Sequence, residues 1–435
     1  MKKLLFGTAI GLIAVAAFSS YMGHTLTQQS FDRQVETLRK LGPDYRLSVE
    51  EADLTQRLFD GDAKISLFFD SPDPQLPSLS LVLQSTLQYG PLLRTDSGIK
   101  LGFVAGRSHL SVQGLPEADA KKLQALIGPH LLSADHWVDF SRQLFVDFQS
   151  PGFEINEQKQ SLAFAGIQAQ VRTDLDNNHT TGELNLGRFS LNTPDGHLQV
   201  ATSKVSFESA DIRNYMAPGW FELSFPQIDI QESGSSFSLK NASITVAQSL
   251  EDGKINITET INLAEIISPL PISSANASFA FNQINPQGIT LWGDILSQLD
   301  AIDPNAVLSE ISAQQSRELI SALLQPGLQF NQSYQLQTAQ GSLLASLDIE
   351  YKGLADGLHP MDAGDPSLFL NALNAELHVT ADQPAIMALP IAPMVSTYVD
   401  QGLLVEGQQK LRIHALLRNG ELSVNGKPFP LDNWL

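Results

Sequence analysis

The sequence contains no cysteine. That absence removes disulfides, thiolate-ligated zinc and thiol nucleophiles together. It suits an oxidising compartment without requiring one. Charge is scarce as well, at 17% of residues, and it leans one way: 27 basic against 47 acidic side chains, a formal net charge of −20. A surface of that sign repels phosphate backbones, so nucleic acid is not an expected partner. Short catalytic signatures are also missing. There is no G-x-S-x-G elbow, no P-loop, no G-x-G-x-x-G and no HExxH. An enzyme is therefore not expected. Long apolar runs are confined to the N-terminus, which excludes a polytopic membrane protein, and 43% apolar residues exclude a disordered chain.

What is present begins at that N-terminus. Lys2 and Lys3 precede an uncharged stretch, Leu4 to Phe31, and the next charge is Asp32. Lysines followed by such a run form an export pattern. Two readings fit it. One is a membrane-spanning helix of roughly 20 residues with the lysines kept inside. The other is a signal peptide cleaved after Ala14-Val15-Ala16. The run outlasts a signal core and ends near Tyr21, an interfacial residue type, so an uncleaved anchor is expected. The body is then placed in the periplasm of a bacterium, and the localisation expected is the inner membrane, single-pass.

Beyond the anchor, Gln28 to Leu41 reads as a short polar helix ended by Gly42-Pro43. Alternation of apolar residues with period two then dominates, as at Leu79, Leu81 and Leu83, and at Leu144, Val146 and Phe148. Leu162 and Phe164 alternate too, but the phase slips at Ala165-Gly166 before Ile167, Ala169 and Val171, which predicts a β-bulge. Three helical patterns stand out: Pro116 to Ile127, Pro304 to Leu324 with Asp303 as its cap, and Pro384 to Val399, which Pro390 and Pro393 must break or kink. Near the end, Leu411, Ile413, Ala415 and Leu417 alternate before Asn419-Gly420, a hairpin turn of the kind with positive φ at both central residues.

The middle of the chain echoes itself. Phe189, Leu191, Leu198, Val200, Val205 and Phe207 are followed thirty-nine residues later by Ile228, Ile230, Phe237, Leu239, Ile244 and Val246. Hairpins with one apolar face are expected there, stacked into an extended sheet. The expected fold class is mainly β: an N-terminal transmembrane helix, then elongated antiparallel sheets with a few covering helices. The expected parts are an anchor or signal sequence (1–28), a mixed α/β part (29–135), central β-rich hairpin repeats (136–290) and a C-terminal part with a long helix and final hairpin (291–435).

Candidate chemistry is thin. No two of the nine histidines have helical metal-ligand spacing, and His378 and His414 read as ordinary strand residues. Asp174-x-Asp176-x-Asn178 with Glu183 has the outline of a calcium loop, but His179 stands where such a loop needs glycine, so a turn is expected. His359, Asp362 and Asp365 share a loop of turn-forming residues. No catalytic residue, metal or cofactor is expected. The functional suggestion comes from the twelve echoed apolar residues. If their shared face is left partly open, it forms a β groove for lipid or another apolar ligand. The alternative is a structural or interaction protein of the envelope, self-associating or bound to another envelope protein.

The C-terminal run Gly420-Glu421-Leu422-Ser423-Val424-Asn425-Gly426-Lys427-Pro428-Phe429-Pro430-Leu431 closely resembles the G-x-L-x-x-N-G-K-P-x-P-L ending of the YdgA family of bacterial envelope proteins. Tyr21-Met22-Gly23 is similar to that family's Y-x-G after its N-terminal apolar helix. Tyr89-Gly90-Pro91 falls where the family has His-Gly-Pro, with tyrosine in place of histidine. Leu323-Leu324-Gln325-Pro326 and Thr338-Ala339-Gln340-Gly341 resemble its helix-then-strand T-x-x-G passage, and Arg57-Leu58-Phe59-Asp60 departs from the family's arginine-glycine-phenylalanine-serine-like segment. The resemblance implies an inner-membrane anchor and a periplasmic body, and it implies no known activity.

Overall fold

The computed structural model describes residues 2–42, 46–70, 78–157, 159–232, 234–298, 312–354, 358–359 and 366–430, and their side chains except at 2–15, 41, 296–298, 313 and 366. Strands dominate, as the period-two patterns predict, and the chain divides into two compact units. The first comprises residues 1–194 and 201–213, the second residues 195–200 and 214–435. The expected boundary at 135/136 falls within a strand of the first unit's sheet, and the one at 290 falls within a helix.

The first unit opens with helix α1 (Lys2–Leu41). The expected anchor and the polar helix after it are therefore one continuous helix. Among the described residues no helix is long and apolar enough to cross a membrane. The side chains of residues 4–15, most of the expected anchor, lie outside that description. An antiparallel sheet follows, in the order β1 (Leu47–Gln56), β2 (Asp60–Phe69), β3 (Leu79–Tyr89), β6 (Val104–Gln113), β7 (Leu132–Val138), β8 (Gln143–Ser150), β11 (Ile167–Asp174), β12 (Thr180–Leu186) and β15 (Ser203–Ser209). A small hairpin, β4 (Leu92–Thr95) and β5 (Gly98–Leu101), and helix α2 (Glu117–Ile127) interrupt the order. Strands β9 (Phe153–Glu157), β10 (Gln160–Phe164) and β13 (Phe189–Thr193) form a further antiparallel ladder.

The expected bulge at Ala165-Gly166 is instead a change of partner. Phe164 ends β10 opposite Phe189, and Ile167 begins β11 between Ser150 and Leu186. Gly166 makes the crossing in the left-handed region at φ 89°, where a side chain is strained. A phase slip in sequence has the same appearance whether a strand bulges or ends.

The second unit is also built of antiparallel strands. Its order is β14 (Gly196–Val200), β16 (Gly219–Glu232), β17 (Ser235–Glu251), β18 (Lys254–Ile267), β19 (Ile272–Ile284), β20 (Gln329–Thr338), β21 (Gly341–Tyr351), β22 (Leu373–Asp382) and β24 (Lys410–Arg418). The short strands β23 (Val405–Gly407), β25 (Glu421–Val424) and β26 (Lys427–Phe429) finish it. The chain thus enters the second unit for β14, returns to the first for β15 and leaves again for β16.

Helix α3 (Pro286–Gln298) went unpredicted. Helix α4 (Ala313–Leu323) covers only the end of the expected 304–324 helix: it starts afresh after Ser312, whose backbone is extended at ψ 152°, so no unbroken helix runs from Pro304, and Asp303 lies outside the described residues. Its N-terminus is a capping box, with the Ser312 hydroxyl accepting from the Gln315 N–H and the Gln315 side chain accepting from the Ser312 N–H. Helix α5 (Pro366–Asn371) precedes β22. The expected 384–399 helix is two, α6 (Gln383–Met387) and α7 (Ala392–Asp400), parted around Pro390. Ile386 and Val395 from this pair pack on Ala381 and Leu411 to make a small core.

Candidate functional site

The first unit's sheet has two unlike faces, as alternation requires. On one face the register sets Leu87, Gly106, His136 and Val146 in a row across β3, β6, β7 and β8. Ser85, Ser108 and Ala134 form the next row, and Val138 faces Leu144. Helix α1 presents Leu26, Ser30 and Gln34 to this face, the four-residue spacing of one helix side. Between helix and sheet lies a cleft of about 410 Å³, within the roughly 300–1,000 Å³ typical of small-ligand sites. Its walls are mainly Leu26, Phe31, Leu83, Leu87, Val104, Val138, Leu144, Val146 and Leu175. Arg33, Arg142 and Arg213 are its charged residues, and among the described residues no acidic side chain lines it. Arg142 Nε stands 3.1 Å from Asp176 Oδ1, an ion pair.

His136 lies across the cleft floor. A Cβ built at Gly106 would fall 2.4 Å from His136 Nε2, so only glycine lets the ring rest on the β6 backbone. Burial pushes the His136 imidazole below the ordinary histidine value, with the opposing pull of Asp135 weaker. The ring is neutral in the folded protein at neutral pH.

The opposite face is polar. Arg107 bridges Asp96 and Asp135, and Asp147 pairs directly with Asp135 across β7 and β8. Burial, and then the Asp135 charge, raise the Asp147 carboxyl. Trp137 stacks on Phe145 at 4.7 Å, with Lys100 Nζ 4.9 Å from the indole centroid. This hollow is occupied by its own ion pairs.

Where α1 meets the sheet, three of the sequence landmarks converge. Gly23 sits against Phe103 and Tyr89, and a Cβ there would fall 2.4 Å from the Phe103 carbonyl oxygen. Tyr89 is 2% exposed, takes His24 edge-on at 4.2 Å and accepts from Gln56 Nε2 at 3.3 Å. Burial raises the Tyr89 hydroxyl above its ordinary value. The Phe59 carbonyl accepts from the Tyr89 N–H, and the Arg57 carbonyl lies 2.9 Å from His24 Nε2. Gly23, Arg57–Asp60 and Tyr89 therefore form one joint that fixes the helix. The T-x-x-G passage is also structural: the Thr338 hydroxyl donates to the Gly341 carbonyl across the β20–β21 turn, and Asp382 accepts from the Ser342 N–H.

None of the twelve echoed apolar residues lines the cleft. Phe189, Leu191, Val205 and Phe207 lie in the first unit, where Leu191 pairs with Leu162, Phe189 with Phe164 and Val205 with Leu184. Phe207 rests on Gly182, where a Cβ would fall 2.4 Å from its ring. The other eight lie in the second unit. Leu198 and Val200 pair with Ile230 and Ile228, which pair in turn with Phe237 and Leu239, a block across β14, β16 and β17. Ile244 and Val246 pair with Leu223 and Phe221. The two copies of the echo differ in strand use: Leu198 and Val205 occupy separate strands, whereas Phe237 and Ile244 share β17. Within β17 the ladder skips Asn241, which has φ 52°, and Leu239 and Ala242 on either side of it are both buried. Of the eight, Leu239 is buried at 9% exposure, while Ile230 and Phe237 remain 41% and 36% exposed.

The other sequence candidates separate. Asp174 accepts from the Asp176 N–H, and Asp176 faces Arg142, so the calcium-like stretch is the β11–β12 turn. His359 Nε2 lies 3.0 Å from the Arg317 carbonyl oxygen, and Asp362 and Asp365 lie outside the described residues. His378 and His414 come together. They are directly opposed on β22 and β24, their rings stack at 4.3 Å, and both face Glu376. Sequence reading misses this trio because its two histidines are joined only by strand register.

No curated protein and no solved structure is similar to the chain. A family model described as a bacterial protein of unknown function, DUF945, matches residues 1–432. The landmarks at Gly23, Tyr89, Thr338–Gly341 and the C-terminal hairpins all lie within that match, and each has a defined place in the fold. The chain belongs to the DUF945 family of bacterial proteins.

Proposed function

We propose that the protein is a non-enzymatic envelope protein that holds the acyl chain of an anionic lipid in the cleft between α1 and the first-unit sheet. Its N-terminal segment anchors it in the inner membrane, and its body stands in the periplasm. The observation that carries the reading is the cleft's chemistry: largely apolar walls, three arginines and, among the described residues, no acid, in a chain with 47 acidic and 27 basic residues. Such a lining suits an amphiphile with a negative headgroup. Continuity of α1 supports the membrane end. At about 1.5 Å per residue, Leu26 stands roughly 12 Å along the helix from Phe18. Phe18 and Tyr21 are 60% and 68% exposed there, which suits an interfacial position. The YdgA-like landmarks imply the same location.

Native mass spectrometry of the protein extracted from bacterial membranes tests the reading. Phospholipid is expected on the wild type and absent from Ala134→Trp, which fills the cleft from the β7 row. Arg33→Ala with Arg213→Ala is expected to lower occupancy several-fold. A wild type free of lipid, or variants with undiminished lipid, would refute it. The alternative, an interaction protein of the envelope, draws on the half-open apolar block around Ile230 and Phe237.

A further inference from the structure

The trio at the β22–β24 ladder has the donors, convergence and rigidity of a metal centre. His378 Nε2 lies 2.8 Å, and His414 Nε2 3.0 Å, from the same Glu376 Oε1. One candidate ligand atom from each residue lies within 4.8 Å of the other two. Around a zinc ion, with bonds of about 2.0–2.2 Å, ligand atoms stand roughly 3.3–3.5 Å apart. Entry of an ion therefore needs the carboxylate to retreat by about half an ångström. The side chains are 38% to 52% exposed, so the rings and carboxylate have room to turn.

The backbone beneath is fixed. β22 is flanked by β21 and β24, so Glu376 and His378 project from an interior strand, two residues apart on one face. His414 is held by Asn425 at both its backbone groups: the Asn425 side chain accepts from its N–H at 2.9 Å, and the Asn425 N–H donates to its carbonyl. Asn425 also donates to the Gly402 and Leu403 carbonyls. The C-terminal Asn-Gly motif thus positions a ligand strand. On the same face Asp348 pairs with Glu376 and Ser346 with His378, which adds a second carboxylate beside the first.

We propose that Glu376, His378 and His414 form a binding site for a divalent transition-metal ion of the zinc class. Two imidazole nitrogens and one carboxylate oxygen favour zinc, copper or nickel over calcium and magnesium, which prefer all-oxygen shells. Three protein ligands leave coordination positions open to water or to a partner's side chain.

Calorimetric titration of the full-length protein with zinc chloride tests the assignment, with cupric and calcium chloride as comparisons. A single tight zinc equivalent is expected, copper tighter still and calcium without heat. His378→Ala and His414→Ala are each expected to weaken zinc by roughly tenfold or more, since even an outer-shell loss costs that much. Glu376→Gln should weaken it less. His197→Ala controls for scattered histidines and should change nothing. Circular dichroism checks that each exposed variant remains folded. Wild-type zinc affinity no greater than that of the His378→Ala/His414→Ala double variant would overturn the site, as would equal loss in His197→Ala.

Discussion

Single atoms decide the joint at α1. Gly23 has no room for a methyl group, because the Phe103 carbonyl oxygen and the Tyr89 ring occupy the space a Cβ needs. Gly23→Val is expected to lose about 1–3 kcal/mol or more, the usual cost of overpacking, read as a lower denaturation midpoint. His136 makes a pH prediction. Its folded value lies below the unfolded one, so the stabilisation of its neutral ring is fully present above about pH 6.5 and is lost as pH falls from there towards the folded value. Wild-type melting temperature should fall between pH 7.5 and 5, and His136→Asn should fall less. Equal slopes would show that the ring does not titrate against burial. Nothing in the sequence marks His136 as special. Gly23 was visible as a motif, but its meaning depends on Phe103, eighty residues away.

Elements were read more successfully where one strand and its own turn carry the signal. The Asn419-Gly420 turn joins β24 and β25 with φ 52° and 78°, the two left-handed residues that the dipeptide predicts. A Cβ at Gly420 would also fall 2.2 Å from Asn371 Oδ1. Gly420→Val is therefore expected to cost on the order of 1–3 kcal/mol, and an unchanged melting temperature would contradict the turn's role. Alternation likewise located β3, β8, β10, β11 and β24, and helical spacing located α2. Helix α3 was missed although Ile289, Trp292 and Ile295 keep a helical interval, because two glycines, 288 and 293, weaken the pattern. Gly288 is there for packing, since Leu323 of α4 lies 2.6 Å from where its Cβ would stand. The cleft and the Glu376 trio were illegible for a different reason. Each assembles side chains from separate elements, and single-sequence periodicity carries no information about register between strands.

Across the whole molecule the acidic balance resolves into particular carboxylates. Hydrogen bonds from His378 and His414 hold Glu376 below its ordinary value, those from Ser238 and Gln227 do so for Asp229, and the Ser342 N–H does so for Asp382. Carboxyls of depressed value contribute stability that is present above their unfolded range and lost as pH falls through the folded values. Acid unfolding should therefore steepen below about pH 4, separately from the His136 effect nearer neutrality. A melt with added zinc gives another whole-chain measurement: zinc is expected to raise the melting temperature of the wild type and not that of His378→Ala/His414→Ala.

The path of the chain through residues 189–219 has a consequence for biogenesis. Strand β14 belongs to the second unit but is made before β15, which the first unit needs against β12. Neither unit is a contiguous piece of polypeptide, so no single cut yields both intact. Ending the chain after Pro194 deprives β12 of its outer neighbour, and starting it at Asn214 deprives β16 of β14. During synthesis from the N-terminus, the first unit cannot complete its sheet until residue 209 has emerged, and by then the five residues of β14 have been made ahead of β16, the strand they join in the second unit. A protease that nicks between Val200 and Ser203 should consequently leave two fragments that stay associated with neither sheet depleted, whereas truncation at Pro194 should release a fragment that aggregates along the exposed edge of β12.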